Sequence, residues 1–458
     1  MPASAPNSAP VVIIGGGISG LACAARLKQR GVPFLLLEKS DHFGGVIHTA
    51  QENGFLFEFG PQGVLLTPEL RELVDLAGLT GDLLQANPRA PRFIYKNGRL
   101  VRAPMSPPSL LASPLLHTSA KWRLLTEPLR LSRPPDDDES LADFMRRKFG
   151  ESLLENLVGP FVSGIYAGDP ELLSLRAAFP QIHKWEADHG SILRGMLKQG
   201  RSRPKRAPAR PTLHSLKHGI GSLLDALAKY LGASVRARVT VESIESIASG
   251  SAPAFRAQIS GQGRAESLDA SAVIVATDPS AAARLLAPIS RKFPSILEPI
   301  PFAPVAVVAA GYRSAAIAHS LEGFGFLVPR KEGLSILGTV FNSSLFSGRA
   351  PEGHVLLTSF AGGATNPALC EMPEDRIASA IHEDLTRILQ ISEAPVIQRV
   401  HVYPRALPQY NMGHTRTIAA LEETCREFPG IFLAGNYLEG PSTGACVARS
   451  FRLADSLT

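Results

Sequence analysis

Residues 11–45 read VVIIGGGISGLACAARLKQRGVPFLLLEKSDHFGG. A short apolar run leads into Gly15, Gly17 and Gly20, a helical pattern follows, and a second apolar run ends at Glu38. The three glycines suit a tight turn, a close approach of the backbone to a pyrophosphate, and close packing of helix on strand. The helix start offers unpaired N–H groups to phosphates, and the acid can bind a ribose while repelling the 2′-phosphate of NADP. The order predicts a nucleotide-binding βαβ unit.

A glycine pair, Gly44-Gly45, follows the acid within a few residues. A glycine-rich turn also occurs without a ligand, so the complete order of strand, helix, strand and acid is what favours dinucleotide binding. The pair resembles the extended signature of flavoproteins with two dinucleotide-binding domains, and this resemblance implies FAD rather than NAD. Many members of the wider flavin superfamily carry Arg after the pair, whereas this chain has Val46.

The composition is that of a globular protein with more than one domain. The 458 residues exceed the roughly 250–300 residues at which single cores stop growing. The four cysteines have no CxxC or metal-ligand spacing, so we expect them to be reduced, as in a cytosolic protein. No signal-peptide pattern opens the chain, and no run approaches the ~20 apolar residues of a membrane-spanning helix. A cytoplasmic location is predicted.

A basic segment between Arg194 and Arg210 holds seven Lys or Arg residues and no acid, within a formal net charge of +6. No aromatic residue interleaves with these cations, which disfavours a single-stranded nucleic acid as partner. We expect a solvated surface loop or a contact with anionic lipid headgroups, and no nucleic-acid partner.

The elements along the chain predict an α/β fold, multidomain in the α+β sense, that leaves the nucleotide-binding unit and returns to it twice. A leucine- and proline-rich region contains predicted helices near Ser140, over 152–158 and at Asp169. Strands bounded by turns follow over about 304–404. These strands predict a mostly antiparallel sheet. The predicted divisions are 1–91 and 211–300 (two parts of the FAD-binding domain), 92–210 (helical), 301–402 (substrate-binding) and 403–458 (the C-terminal part of the FAD-binding domain).

The segment Gly440-Pro441-Ser442-Thr443-Gly444 has the G-x-S-x-G pattern of serine hydrolases. A nucleophile elbow places its Ser directly after a strand and needs Asp and then His further on. The predicted strand ends near Ala434, and Asp455 but no histidine follows the segment. We therefore interpret it as a second glycine-rich loop before a helix over 444–457, whose positive end can stabilise negative charge on a reduced flavin.

Three segments resemble the protoporphyrinogen oxidase family. They are GFLFEFGPQGVL (54–65), LVGPFVSGIYAGDPELLSLRAAFP (157–180) and FLAGNYLEGPSTGACVARS (432–450). EGFGFLVP (322–329) and LGTVFNSSLFSGRAP (337–351) resemble the family's substrate domain, and the similarity runs in order along nearly the whole chain. The resemblance implies a Rossmann-like FAD domain, an antiparallel-sheet substrate domain and a helical, membrane-associating domain. It also implies an FAD-dependent oxidase of heme biosynthesis that converts a porphyrinogen, foremost protoporphyrinogen IX, to the porphyrin with oxygen as acceptor and release of hydrogen peroxide.

The resemblance further implies which positions bind substrate and cofactor. Arg92 falls at the family's arginine that pairs with a tetrapyrrole propionate, and Gly164, Leu327 and Phe346 fall in segments that line its substrate cavity. By periodicity alone, Leu327 and Phe346 are core positions. The implied FAD contacts are Gly15, Gly16, Gly17, Ile18, Ser19, Gly20, Glu38, Lys39, Gly44, Gly45, Gly60, Pro61, Gln62, Gly63, Val239, Ala276, Gly435, Ser442, Gly444, Ala445, Cys446 and Val447.

Alternatives stay open at this stage. His214 and His218 have the i, i+4 spacing of a helix but no third ligand nearby, so no metal site is predicted.

Amine oxidases and carotenoid desaturases share the two glycine-rich segments but not SGIYAGDPELLS (163–174), and a flavin or porphyrin carrier without turnover is a third class. Coproporphyrinogen III is the alternative substrate. The resemblance implies peripheral contact with a membrane, and the sequence leaves a homodimer open.

Overall fold

The computed structural model describes residues 9–202, 212–247, 254–261 and 263–457. The predicted basic segment continues into 203–210, outside the described residues. The helices α1 to α17 are Ile18–Arg30, Pro68–Leu76, Pro107–Ala112, Thr118–Thr126, Leu141–Lys148, Glu151–Leu153, Gly159–Tyr166, Leu175–Ala178, Pro180–His189, Ile192–Ser202, Gly221–Leu231, Pro279–Leu286, Lys292–Leu297, Asn342–Leu345, Glu374–Leu389, His414–Glu427 and Thr443–Asp455. The strands β1 to β20 are Val11–Ile14, Phe34–Leu37, Thr49–Glu52, Phe55–Glu58, Val64–Leu65, Leu83–Gln85, Arg92–Lys96, Arg99–Arg102, Leu213–Leu216, Val235–Arg236, Val239–Ser246, Phe255–Gly261, Arg264–Ala270, Ala272–Val275, Phe302–Arg313, Gly325–Leu327, Ile336–Phe341, His354–Gly362, Ile397–Pro408 and Ile431–Leu433.

A five-stranded parallel sheet in the order β10-β2-β1-β14-β20 forms the nucleotide-binding domain. Both faces of its central strand are covered: Val11 and Ile13 pack with α1, α11 and α17, while Val12 and Ile14 pack with α12 and α13. Strands buried on both faces read as continuous apolar runs, which is why the sequence identified β1 and β2 at their observed bounds. The Rossmann-like part of the predicted fold is confirmed.

A seven-stranded sheet in the order β19-β15-β18-β17-β16-β7-β8 forms the second large unit. All neighbours are antiparallel except β16 and β7, so the expected mostly antiparallel sheet is confirmed. One face packs on α15 through Ile377, Ile381 and Leu385. The opposite face is turned toward α7 at Leu327, where a Cβ on Gly164 would meet that side chain.

The beginning of the predicted helical region is wrong. Residues 92–102 form β7 and β8, two strands of the seven-stranded sheet. Phe93 and Tyr95 alternate into the core with a period of two, which fits a strand and not a helix. The predicted helix at Asp169 is also replaced: the Asp169 carboxylate accepts the Glu171 N–H in a turn, and the next helix starts only after Ser174, its N-cap.

Helices α3 to α10 surround their own apolar core of leucines and aromatic residues. The predicted start near Ser140 is confirmed, because its hydroxyl caps α5 by accepting the Asp143 N–H at 3.0 Å. In the described ranges no helix has both the length and the apolar character needed to cross a membrane.

Candidate FAD and substrate site

The first glycine-rich turn is built so that only glycine fits at two of its positions. Gly15 has φ +107°, and a Cβ there would lie 2.7 Å from the Ala276 carbonyl oxygen. A Cβ on Gly20 would lie 2.0 Å from the Gly15 oxygen. Gly17 differs, since a Cβ there meets no atom within 4 Å, and α1 after it has no side-chain cap. The start of α1 therefore has no side-chain cap and has room beside Gly17, which fits a bound pyrophosphate.

Glu38 lies beside this turn with its carboxylate held in place. Its Oε2 accepts the Gly16 N–H at 2.6 Å, and its Oε1 accepts the Ser40 N–H at 2.8 Å. Its backbone oxygen accepts the Val239 N–H at 2.9 Å, which brings β11 next to the acid, whereas the Lys39 side chain is exposed. A carboxylate can accept about four hydrogen bonds, so lone pairs remain for a ribose.

The glycine pair and the Gly60–Gly63 turn pack against the first turn. The Gly44 N–H donates to the Gly16 oxygen at 2.9 Å, and the pair adopts positive φ values of +134° and +61°. A Cβ on Gly60 would lie 2.3 Å from the Val46 oxygen, so the two loops touch backbone to backbone. Segments separated in sequence therefore meet at one end of α1.

The C-terminal glycine-rich loop closes the same place. Ser442 caps α17 by accepting the Ala445 N–H, and its preceding strand ends at Leu433, so it is not on a nucleophile elbow. Ser19 lies beside the Cys446 thiol, so the starts of α1 and α17 are adjacent. Burial raises the pKa of this thiol to about 11, so it stays neutral.

Three of the four implied substrate residues, Arg92, Gly164 and Leu327, lie on one face of the seven-stranded sheet. Arg92 of β7 pairs in register with Gly325 of β16. Its exposed guanidinium lies over the Phe324 ring, 5.0 Å from the centroid. Gly164 of α7 lies against Leu327, since a Cβ there would come within 2.7 Å of Leu327 Cδ2. Phe346 has a different environment, because it is buried in a small core cluster with Leu345 and Ala86, against which Phe324 packs.

Two further residues on this face were missed by sequence reasoning. Leu327 of β16 pairs with Gly338 of β17, and Gly338 pairs in turn with Phe360 of β18. Gly325 of β16 pairs with Val340 of β17. Because registered pairs share a face, Val340 and Phe360 lie on the same side as Leu327. Both are only partly buried. Gly325 and Gly338 lie where neighbouring atoms approach closely, since a Cβ on Gly338 would come within 2.8 Å of Leu327 Cδ2. The alternation of apolar residues with these glycines along the strands was the available signal.

Gln62 is directed into the protein. Its amide nitrogen donates to the Glu58 and Gly60 oxygens at 2.7 and 3.0 Å, and its oxygen accepts from Asn342 Nδ2 at 2.6 Å. The side chain is thus fully used in fixing the Gly60–Gly63 turn. The predicted contact between Gln62 and FAD would therefore be made by the backbone of this turn, and it stays a prediction.

His214 and His218 do not share a helix, although their i, i+4 spacing would suit one. His214 is buried in β9 and its Nδ1 lies 2.9 Å from the Thr212 oxygen, whereas His218 lies exposed in the turn after that strand. Among the residues that the structure describes, no group of three or more His, Cys, Asp or Glu side chains is placed to hold a metal ion.

Glu58 gives a pH-dependent stability. It is buried, accepts hydrogen bonds from Thr49 Oγ1 at 2.6 Å and the Ile220 N–H at 2.7 Å, and burial raises its pKa from 4.5 to about 7. Between pH 4.5 and about 7 the folded protein binds more protons than the unfolded chain, so the free energy of unfolding falls as pH rises, by up to roughly 3 kcal/mol. Chemical denaturation at several pH values between 4.5 and about 7 measures this fall in the free energy of unfolding. The Glu58→Gln variant should not show the fall. If the variant and the unmodified protein show the same pH dependence, Glu58 is not its cause.

Comparison with known proteins extends these observations. A family model described as flavin containing amine oxidoreductase matches residues 18–452. Protoporphyrinogen oxidase 1, chloroplastic, of Arabidopsis thaliana is 34% identical over 468 residues, covering 97% of this chain and 87% of the plant protein. Coproporphyrinogen III oxidase of Bacillus subtilis (strain 168) is 29% identical over 470 residues, covering 98% of each chain. A crystal structure of a candidate protoporphyrinogen oxidase from Exiguobacterium sp. 255-15 is similar with a TM-score of 0.81 at 27% identity, covering 98% of this chain and 99% of that one.

Proposed function

Because this chain belongs to the flavin-containing amine oxidoreductases and, within them, to the protoporphyrinogen oxidase family, we propose that it oxidises a porphyrinogen to the aromatic porphyrin. The family makes it an oxidoreductase with FAD as cofactor. Protoporphyrinogen IX is the proposed substrate, oxygen the acceptor and hydrogen peroxide the second product. The full-length similarity to relatives named for porphyrinogen oxidation supports this choice over an amine substrate.

The observation that carries the proposal is the face built by β7, β16, β17 and β18. Arg92 lies at one side of this face, and the partly buried side chains of Leu327, Val340 and Phe360 lie on the same face. A porphyrinogen is a flexible apolar macrocycle with anionic propionates at its rim. Arg92 would bind a propionate, while Leu327, Val340 and Phe360 would hold the ring.

The chain supplies orientation and exclusion of water to this reaction, and no side chain is proposed as a nucleophile. When bound, FAD supplies the ring that accepts hydride and is reoxidised by oxygen. The glycine positions around Gly17 would hold its pyrophosphate, Glu38 its ribose, and the start of α17 its pyrimidine side.

The test is to add protoporphyrinogen IX, coproporphyrinogen III and a panel of primary amines separately to the purified holoprotein. Porphyrin fluorescence and hydrogen peroxide are followed together. Rapid fluorescence and peroxide with protoporphyrinogen IX support the proposal. Hydrogen peroxide formed with amines alone would establish an amine oxidase. Binding of a porphyrinogen without formation of hydrogen peroxide would establish a carrier.

Coproporphyrinogen III is a second candidate substrate, because a relative of matching length is named for it. It carries two more propionates than protoporphyrinogen IX. The ratio of kcat/KM values for the two porphyrinogens decides between them, and a ratio favouring coproporphyrinogen III would replace the first choice.

We also propose peripheral membrane contact through an apolar surface on α4 and the turn after it. Trp122, Leu125 and Leu129 are 67%, 56% and 78% exposed, and Arg123 and Arg130 lie exposed beside them. Exposed tryptophan and leucine flanked by cations suit the interface of an anionic bilayer. This surface would lie at the membrane from which an apolar substrate is delivered.

The triple variant Trp122→Ser, Leu125→Ser, Leu129→Ser should bind phosphatidylglycerol vesicles several-fold more weakly, since each apolar side chain removed gives up part of its ~1.5–3 kcal/mol of burial. Co-sedimentation with vesicles measures the bound fraction. The control is Met372→Ser, Val396→Ser, which removes apolar side chains that are 47% and 48% exposed on the seven-stranded unit. If both variants lose vesicle binding equally, or if neither loses it, the surface on α4 is not the membrane contact.

A further inference from the structure

Tyr410 connects two ends of the loop that precedes α17. It is 2% exposed and lies two residues after the end of β19. Its hydroxyl accepts the Gly440 N–H at 2.5 Å and donates to the Asn436 oxygen at 2.5 Å. One side-chain atom thus closes the backbone of residues 436–440, which contain no helix or strand of their own.

The loop needs such a support because its backbone is unusual. Gly435 and Gly440 adopt φ values of +155° and +135°. Glycine reaches these conformations without clashes, but it also loses the most conformational entropy when it is ordered. An additional hydrogen bond therefore helps to keep the loop in one conformation. The loop leads through Ser442 into α17, so its geometry sets where the first turn of that helix lies.

The Tyr410 ring is held by neighbours from two regions of the chain. It stacks on His414 at the start of α16, with centroids 4.3 Å apart, and packs near Tyr166 of α7 in the helical region. Its backbone oxygen accepts the Ser174 N–H at 2.9 Å, and Gln409 beside it donates to the Tyr166 oxygen at 2.8 Å. The segment 163–174 therefore reaches the FAD loop through Tyr410.

We propose that Tyr410 is a positioning residue for FAD: its hydroxyl fixes residues 436–440 and thereby the start of α17 that faces the flavin. The proposal rests on the FAD part of the proposed function and is independent of the porphyrinogen. It assigns to the helical region a structural influence on the cofactor, in addition to any contact with substrate.

The experiment compares Tyr410→Phe with Tyr437→Phe. Tyr437 is fully buried and its hydroxyl has no hydrogen-bond partner within the described residues, so this control removes the same atom without removing a bond. Apoprotein of each variant is titrated with FAD, the quenching of flavin fluorescence gives Kd, and the visible spectrum of the bound flavin is recorded. Tyr410→Phe should raise Kd by roughly tenfold, since two hydrogen bonds are lost, and shift the spectrum, whereas Tyr437→Phe should match the unmodified protein.

Unfolding of both apoproteins by denaturant separates positioning from general destabilisation. If Tyr410→Phe binds FAD with the same Kd and spectrum as Tyr437→Phe, the proposal is overturned, even where its apoprotein unfolds more easily. Because every readout concerns FAD alone, absence of porphyrinogen turnover in the unmodified protein would reject the proposed substrate and leave this proposal standing.

Discussion

Replacing Gly17 by Ala should lower the affinity for FAD by about ten- to a hundredfold while the free protein keeps its stability. The backbone of Gly17, with φ −70° and ψ 177°, suits any residue, and a Cβ meets no protein atom within 4 Å. The methyl group would instead occupy the space before α1 where the pyrophosphate is proposed to lie, and overpacking a tight contact costs ~1–3 kcal/mol. Titration of apoprotein with FAD and denaturant unfolding measure the two quantities separately.

Two other glycines provide the controls for this prediction. Gly81 also has open space around its Cβ position but lies away from the site, so Gly81→Ala should change neither quantity. Gly20→Ala should instead destabilise the apoprotein, because its Cβ would lie 2.0 Å from the Gly15 oxygen. If Gly17→Ala binds FAD as tightly as Gly81→Ala, the pyrophosphate does not lie before α1.

Replacing Arg92 by Ala should raise KM for the porphyrinogen by about ten- to a hundredfold and leave the FAD content unchanged. A charge-assisted hydrogen bond to a carboxylate contributes ~1.5–3 kcal/mol when it forms on binding. The guanidinium is exposed over Phe324, so its removal leaves the fold without an unpaired buried group. Steady-state kinetics with each porphyrinogen measures the effect, and Arg92→Lys should recover part of it, since the charge stays but the planar fork is lost.

Arg102→Ala is the matched control for Arg92. It is an exposed arginine on the adjacent β8, and it pairs with Phe93, which places it on the opposite face of the sheet. Its removal should leave KM unchanged. Equal KM values for the Arg92 and Arg102 variants would take Arg92 out of the substrate site.

The parts that the sequence predicted best are those whose signal is local. The bounds of β1 and β2 follow from continuous apolar runs, and Ser140 caps a helix at the predicted start through its own hydroxyl. The helix after the second glycine-rich loop was expected over 444–457 and spans Thr443–Asp455.

The parts that it could not predict depend on partners far along the chain. β7 was placed with the helices because the leucine- and proline-rich sequence begins nearby, yet its partner β16 starts only at Gly325. The three-stranded sheet of β11, β12 and β13 was not predicted. The bridge from Tyr410 to Gly440 and the inward amide of Gln62 join side chain to backbone, and no residue pattern encodes such a pairing.

The central claim is that a porphyrinogen reduces the flavin held by this chain. The most direct measurement mixes FAD-loaded protein with protoporphyrinogen IX, without oxygen, in a stopped-flow instrument while flavin absorbance and porphyrin fluorescence are recorded. We expect the oxidised flavin band to bleach as porphyrin fluorescence appears, and oxygen then to restore the band with release of hydrogen peroxide. A flavin that stays oxidised with both porphyrinogens but bleaches with an amine would contradict the account.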